Sequence, residues 1–487
     1  MPPPAPTTLL PMSQQVLVAS NRGPLSFAYA DGSLTAKRGG GGMVSALTSG
    51  LAAKSGNTEW ICAALSDADR AAAAQGVQEG NPPVRMLDIP ADVFDEAYNA
   101  VANSVLWFVH HMLFDTPNQP RFGPEFRGQW TSYTAYNQAF ADALAEDYQP
   151  GGRVLVQDYH LTLAPRMLRD RRPDARIAHF SHSPWAPPQY YGMLPDVVAA
   201  AVCDGILGAD HAGFLSGRWS SSFMDCCETV LGASVERRGG GTGLVTHRGR
   251  VTEVAVHPLG TDVVELRERG SRADVTAQVE QIRSVTGDRQ LIVRVDRTEL
   301  SKNIVRGLAS YRELLIEHPQ WRERVVHVAF AYPSRSGLAE YRAYTDSVRE
   351  MAAAVNDEFR TPSWEPVLLE VKDDYARSLA AYRVADVLLA NPIRDGMNLV
   401  AEEGPVLSER GCALVLSREA GAAAVFGDDA LLVNPYDITM TADALHAALE
   451  MSSDERRRRS AAIAATAEAL APRHWVAAQL DALDMQP

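Results

Sequence analysis

Short apolar runs of β type recur along the chain, separated by stretches of helical patterning, and after one polar interval the whole alternation starts again. The first series falls at residues 16–18, 154–156, 177–180, 205–207 and 254–256, with helical spacing between runs, as at 135–145. Such alternation predicts parallel strands joined by helical crossovers. Behind Pro258-Leu259-Gly260-Thr261-Asp262, residues 265–288 are polar and read as a linker plus a helix. Runs at 291–295, 325–331, 367–371, 387–390, 414–416 and 431–433 then predict a second doubly wound sheet. The length of 487 residues points the same way, being too great for one comfortable core. The expected class is therefore α/β: a disordered tail over 1–14, Rossmann-like domains over 15–263 and 264–465, and a terminal helix over 466–487 able to cross back to the first. Within that end, the Ala/Arg-rich segment 461–477 reads as solvated helix. Ligands are expected in the cleft between the domains, beyond the carboxyl ends of the strands.

Charge narrows the function. Sixty acidic residues against 46 basic give a formal charge of −14, which argues against nucleic-acid binding because phosphate neutralisation needs a basic face. An anionic substrate must be met by local cations. Cys62, Cys203, Cys226, Cys227 and Cys412 lack zinc-like spacing and are odd in number, so a reduced cytoplasm is the simplest location. The proline-rich start is not a leader, and no stretch reaches about 18 uninterrupted apolar residues, so no membrane partner is expected. The pairs Asp67-Ala68-Asp69 and Asp428-Asp429 read as solvated loop carboxylates. With no Asp-x-Asp pair at a strand end near the candidate site, neither a metal nor another cofactor is expected.

The chemistry concentrates in two segments that each follow a predicted strand. Asp296-Arg297-Thr298-Glu299-Leu300-Ser301-Lys302 offers two fixed cations, and Arg297 and Lys302 can converge on one diphosphate if the turn folds back. Surface ion pairing with Glu299 is the plainer alternative. Asn391-Pro392-Ile393-Arg394-Asp395-Gly396-Met397-Asn398-Leu399-Val400-Ala401-Glu402-Glu403 offers carboxylates and backbone N–H groups at a helix start. A helix beginning near Gly396 would put Asp395 and Glu403 on one face, Asp395 for hydroxyls and Glu403 for a ribose. Together the segments point to transfer from a nucleotide-activated sugar. Near the amino end, Lys37-Arg38 and the run Gly39, Gly40, Gly41 and Gly42 open a helix over 43–51, where bare backbone can approach a diphosphate. Asp158, within Gln157-Asp158-Tyr159-His160, and His182, within Ser181-His182-Ser183-Pro184-Trp185, each follow a strand on the first sheet's rim. Either residue alone reads as a satisfied core group; as a pair they are candidates to hydrogen-bond substrate.

These motifs, in order with Asn21-Arg22, Tyr98-Asn99, Leu106-Trp107, Pro333-Ser334-Arg335 and residues 416–422, make the chain resemble the trehalose-6-phosphate synthase family over residues 16–437. The resemblance implies a GT-B fold and retaining glycosyl transfer. It further implies that Arg22, Tyr98, Trp107 and Arg335 hold an acceptor phosphate and that Asp158 holds the acceptor ring. By the same likeness, His182 and Asp395 hold the donor ring, Arg297 and Lys302 the diphosphate, and Leu399, Val400 and Glu403 the nucleoside, with Gly40, Gly41, Gly42, Gly396, Met397 and Asn398 lining the donor side. Departures from the family pattern are Ala63 in Trp60-Ile61-Cys62-Ala63, where a tryptophan packs on the acceptor, and Phe108, Ser183, Trp185, Asn303 and Glu402, the last in place of a lysine. A kept phosphate grip with altered walls implies an acceptor other than glucose 6-phosphate. A pseudo-glycosyltransferase is then expected, joining GDP-valienol to validamine 7-phosphate through a C–N bond with retention. UDP- or GDP-glucose with glucose 6-phosphate is the alternative pair, and a catalytically silent sugar-phosphate-binding regulator the alternative of another class. The expected partners are these small molecules, with a homodimer allowed.

Overall fold

The computed structural model describes residues 14–30, 32–38, 42–52, 57–76, 80–335 and 337–484. The tail over 1–14, except its last residue, and Gly39, Gly40 and Gly41 lie outside the described residues.

In chain order the strands are β1 Val16–Ala19, β2 Leu25–Ala30, β3 Ser33–Arg38, β4 Thr58–Ala63, β5 Val84–Leu87, β6 Arg153–Gln157, β7 Arg176–Ser181, β8 His211–Phe214, β9 Ser234–Gly239, β10 Thr242–His247 and β11 Arg250–Val256. Then come β12 Gln290–Arg297, β13 Val325–Tyr332, β14 Val367–Val371, β15 Val387–Ala390, β16 Ala413–Ser417 and β17 Leu431–Val433. The first sheet runs β5-β4-β1-β6-β7-β8-β11-β10-β9 and is parallel except where β10 pairs antiparallel with both β11 and β9. The second, β14-β13-β12-β15-β16-β17, is parallel throughout. Strands buried on both faces explain the continuous apolar runs that announced them. β4 and β5 escape that reading, and β2 and β3 form a separate hairpin.

Four expectations need correcting. Residues 205–207 are not a strand: Gly205 and Ile206 end the helix Asp196–Ile206, whose Val198, Val202 and Ile206 form one buried face, and β8 follows it. The interval 265–288 holds two helices, Val263–Gly270 and Ala273–Thr286, the first capped by Asp262 accepting from Glu265 N–H. The end of the chain is two helices, Ser453–Ala469 and Pro472–Asp484, and neither is merely solvated: Ile463, Ala467, Trp475, Val476, Leu480 and Leu483 are buried. Alanine declares neither face, so the local sequence could not show that the last helix lies against β7 and β8, with Trp475 edge-on to Phe180 at 4.9 Å. Asp69 is also misread as solvated. It sits in the first turn of Asp67–Ala74 and its buried carboxylate accepts from the N–H groups of Phe27 (2.6 Å) and Leu65 (3.2 Å), pinning the hairpin.

The apolar core on one face of the first sheet continues through Leu259, Val263 and Trp475 into the second, so the two halves share packing at the hinge. Glu402 is buried there with neither oxygen hydrogen-bonded among the described residues. Burial, reinforced by Glu403, pushes its acid well above the ordinary carboxyl range. An acid whose folded pKa is raised stabilises fully below its unfolded pKa, and that contribution is lost as pH rises toward the folded value. Glu402→Gln, an isostere of the neutral acid, is therefore expected to raise Tm by about 2–4 °C at pH 8 and by much less at pH 5, as read by calorimetry across that range.

Candidate active site

Both chemistry-bearing segments lie just past neighbouring strands of the second sheet. After Arg297 closes β12, the chain makes one tight turn, Leu300–Lys302, and Asn303 enters the helix Ile304–Glu317 with φ +57°. A left-handed conformation favours glycine, but asparagine tolerates it, and here its amide donates to the carbonyls of Asn391 (3.0 Å) and Pro435 (2.7 Å). This departure thus ties the β12 loop to the loop after β15. Ile393 N–H adds a bond to Ser301 C=O at 2.7 Å.

Lys302 Nζ stands 2.6 Å from Asp395 Oδ2, both largely enclosed. Burial opposes the ammonium, but the carboxylates of Asp395 and Asp296 outweigh it and hold its pKa above the ordinary lysine range. Asp395 and Glu403 do not share a helical face as expected, because the helix is Val400–Leu407 and begins after Asn398, whose φ is +82°. Residues 395–398 are instead stitched as a loop to 419–422: Asp395 N–H donates to Glu419 C=O, Gly421 N–H to Asp395 C=O and Ala422 N–H to Met397 C=O. A methyl on Gly396 would collide with the His182 carbonyl, and the Trp219 indole N–H donates to Gly396 C=O at 3.0 Å. The loop is therefore pressed onto the first half of the chain. Gly42 faces Leu399 across the cleft, where a Cβ would come within 3.2 Å. Val400 opens the helix, and Glu403 lies half-buried near the Tyr382 hydroxyl, with desolvation raising its acid.

On the rim of the first sheet, Asp158 leaves β6 with φ +71°, a strained geometry for a residue with a side chain. Its Oδ1 accepts from His182 N–H (3.2 Å) and Ser183 Oγ (3.4 Å). Burial pushes its acid up to about 6, against the pull of the Tyr159 and His182 N–H groups. His182 Nε2 lies 2.9 Å from Gln157 Oε1, its ring between Phe180 and Trp475, and burial depresses it to about 3, so the imidazole is neutral.

Beside this rim is a cationic cage. The Arg335 guanidinium lies over the rings of Trp107 (4.8 Å) and Tyr341 (5.3 Å) and donates to the hydroxyls of Tyr341 and Tyr159, the latter at 3.1 Å. Tyr98 stacks between Phe94 and His160. Burial would raise its phenol, but Arg22 and Arg335 together draw the pKa below the ordinary value. Arg22, Tyr98, Trp107 and Arg335 thus converge, and because Arg335 follows β13, the cage draws on both halves of the chain.

Three contributors escape reading from sequence. Tyr341 and Trp219 carry no local signal. Glu299, weighed only as a surface partner of Arg297 in the plainer alternative, is buried at 1% exposure, with Oε1 3.1 Å from Arg297 Nη1, 4.0 Å from Arg335 Nη1, and accepting from Ser334 Oγ at 2.8 Å.

Residues 14–485 match the Glycosyltransferase family 20 profile. The chain is 31% identical over 450 residues to a probable alpha,alpha-trehalose-phosphate synthase [UDP-forming] of Arabidopsis thaliana, covering 91% of this chain but 54% of that protein. It therefore spans about half the length of the plant relatives it matches. It is 32% identical to a trehalose-6-phosphate synthase of Mycobacterium avium, covering 96% of this chain and 94% of the other. Among solved structures, a UDP-forming synthase of Burkholderia xenovorans in complex with glucose-6-phosphate superposes with a TM-score of 0.83 at 25% identity, covering 97% of this chain and 100% of that one.

The acid of Asp158 gives a direct test. A carboxylate that orients an acceptor works above about 6 and is lost below it, so kcat/KM is expected to fall on the acid side with an apparent pKa near that value. Asp158→Asn should lack this limb and lose about a hundredfold in turnover; a limb unchanged in the variant would clear Asp158 of the role.

Proposed function

Because the chain belongs to glycosyltransferase family 20 and has the GT-B fold, we propose that it transfers the ring of a nucleotide-diphosphate donor to a phosphorylated acceptor with retention, as a trehalose-6-phosphate synthase does. The observation that carries this reading is the pair of anion sites beyond adjacent strands. Arg297 is paired in register with Tyr332, so the Arg297–Lys302 turn and the Arg335 cage open side by side. One suits a diphosphate, the other a single phosphate. Residues 15–263 supply most of the acceptor side and 264–465 the donor side.

The chemistry asks little covalent work of the protein. When the donor binds, Lys302 exchanges the Asp395 carboxylate for the diphosphate, which frees Asp395 for ring hydroxyls. The bond from the ring carbon to the diphosphate oxygen breaks toward Arg297 and Lys302, which neutralise the growing charge. The acceptor attacks from the face just vacated, and its proton passes to the departing phosphate oxygen. Asp158 aligns that acceptor, and the cage fixes its phosphate. No helix among the described residues is long and apolar enough to cross a membrane. The five cysteines, all buried and free, suit a reducing compartment such as the cytoplasm.

UDP-glucose with glucose 6-phosphate is the pair that the UDP-forming relatives favour, GDP-glucose being the alternative donor. One feature favours a second. Ala63, whose N–H donates to Asn21 C=O beside Arg22, ends β4 with a methyl where the family pattern has an aromatic wall. A shorter side chain at that position would suit a bulkier or amine-bearing cyclitol phosphate, the acceptor of a validoxylamine A 7'-phosphate synthase, which uses GDP-valienol. Mass spectrometry of products from each pair separates the two readings. With whichever pair reacts, Arg297→Ala and Lys302→Ala should each cost about 10²–10³-fold in kcat; wild-type turnover in both variants would remove the diphosphate from this turn.

A further inference from the structure

Glu299 has no ligand role in the reading above, yet it is the buried charge that both phosphate-facing arginines share. Its placement follows from how the loop is laced. Thr298 donates to Tyr332 C=O through its N–H (2.8 Å) and its hydroxyl (3.1 Å), which binds the end of β12 to the end of β13. Glu299 N–H then turns back to Arg297 C=O at 2.7 Å, so the side chain enters the gap between the two strand ends. There Ser334 Oγ fixes Oε1, Arg297 approaches from one side, and Arg335 from the other.

Burial alone would make this carboxyl hard to ionise, but Arg297, Arg335 and Lys302 together hold it down to about 2, so it is an anion at any working pH. An anion beneath two cations weakens the field each exerts on a phosphate. It therefore cannot serve affinity. What a carboxylate does supply is direction, because a guanidinium held along one edge presents its other edge at a fixed angle.

We propose that Glu299 is a positioning residue that orients Arg297 and Arg335 together and so sets the alignment of the leaving diphosphate against the phosphorylated acceptor. This rests on the assignment of Arg297 to the donor and Arg335 to the acceptor. Retaining attack on the vacated face depends on that alignment more than on tight binding. A loosened pair of arginines still holds both substrates but brings them together less often in a reactive pose.

The test separates turnover from binding. In Glu299→Gln, kcat with the reactive pair is expected to fall about a hundredfold, while the Kd for UDP or GDP and for glucose 6-phosphate, measured by calorimetry, stays unchanged or tightens. Glu299→Asp, which keeps the charge but shortens its reach, should fall between Gln and wild type. Should Glu299→Gln fail to fold, Ser334→Ala frees the carboxylate without removing it and is expected to show the same split, attenuated. Kd values that weaken in step with kcat, together with a lowered Tm, would make Glu299 a structural residue and overturn the proposal, as would wild-type kcat. Arg297→Ala and Arg335→Ala in the same titrations report on the underlying assignment. If they weaken binding of the nucleotide and of glucose 6-phosphate respectively, that assignment stands whatever Glu299→Gln shows; if neither does, both fall.

Discussion

Gathering several cations in one crevice is tolerable only where counter-charges are buried with them, and the site is organised around that requirement. Two like charges about 4 Å apart repel by about 4 kcal/mol at an effective dielectric of about 20. The structure meets this with three enclosed carboxylates: Asp395 on Lys302, Asp296 against Arg294, and Glu299 between Arg297 and Arg335. Asp296 and Glu299 come from the end of β12, and Asp395 from the loop after β15. The positive potential needed for phosphates therefore exists without destabilising the loops that carry it. The same anions fix where the cations point when no ligand is bound, which is the form of preorganisation that charge-developing chemistry rewards.

A second constraint is the seam between the halves. The loop 395–398 comes so close to the first sheet's rim that residue 396 has room for no side chain, and Gly421 backs it from the other side. Trp219 hydrogen-bonds the Gly396 carbonyl, and Arg218 pairs with Glu419 at 2.7 Å. The last helix, Pro472–Asp484, packs beneath through Trp475. The 395–398 loop and the first sheet's rim are thus held against one another by backbone contacts and a few polar bonds. Asp158 and His182 belong to this seam. Their burial explains why the carboxyl is pushed up to about 6 and the imidazole stays neutral.

Much of this was legible beforehand where the signal is local. Runs such as 291–295 and 325–331 announced buried parallel strands because both faces of the second sheet are covered. Strand-end placement of Asp158, His182, Arg297 and Asp395 followed from those runs alone. Legibility failed where spacing was asked to settle geometry. Asp395 and Glu403 are eight residues apart, which suits two turns of helix, but backbone stitching to 419–422 delays the helix to Val400. The run at 205–207 is apolar because one helical face is buried, and a short apolar run cannot tell that from a strand. Segment 461–477 misled for a related reason: its alanines suit either environment, and its partners lie from tens of residues, in Val400–Leu407, to hundreds of residues earlier, at Phe180.

Sequence by itself determined the class of the fold, the two sheets, and the identity of the cations and carboxylates, because period-two and period-3.6 patterns and turn residues are written in neighbouring positions. It also carried the family, through motifs that keep their order. Tertiary structure alone decided that Glu299 is buried rather than solvated, that Tyr341 joins Arg335 and Trp107 in the cage, and that Trp219 holds the 395–398 loop. Those outcomes depend on which strand ends become neighbours and how closely two halves approach, and residues far apart in the chain acquire that relation only when the sheets are assembled.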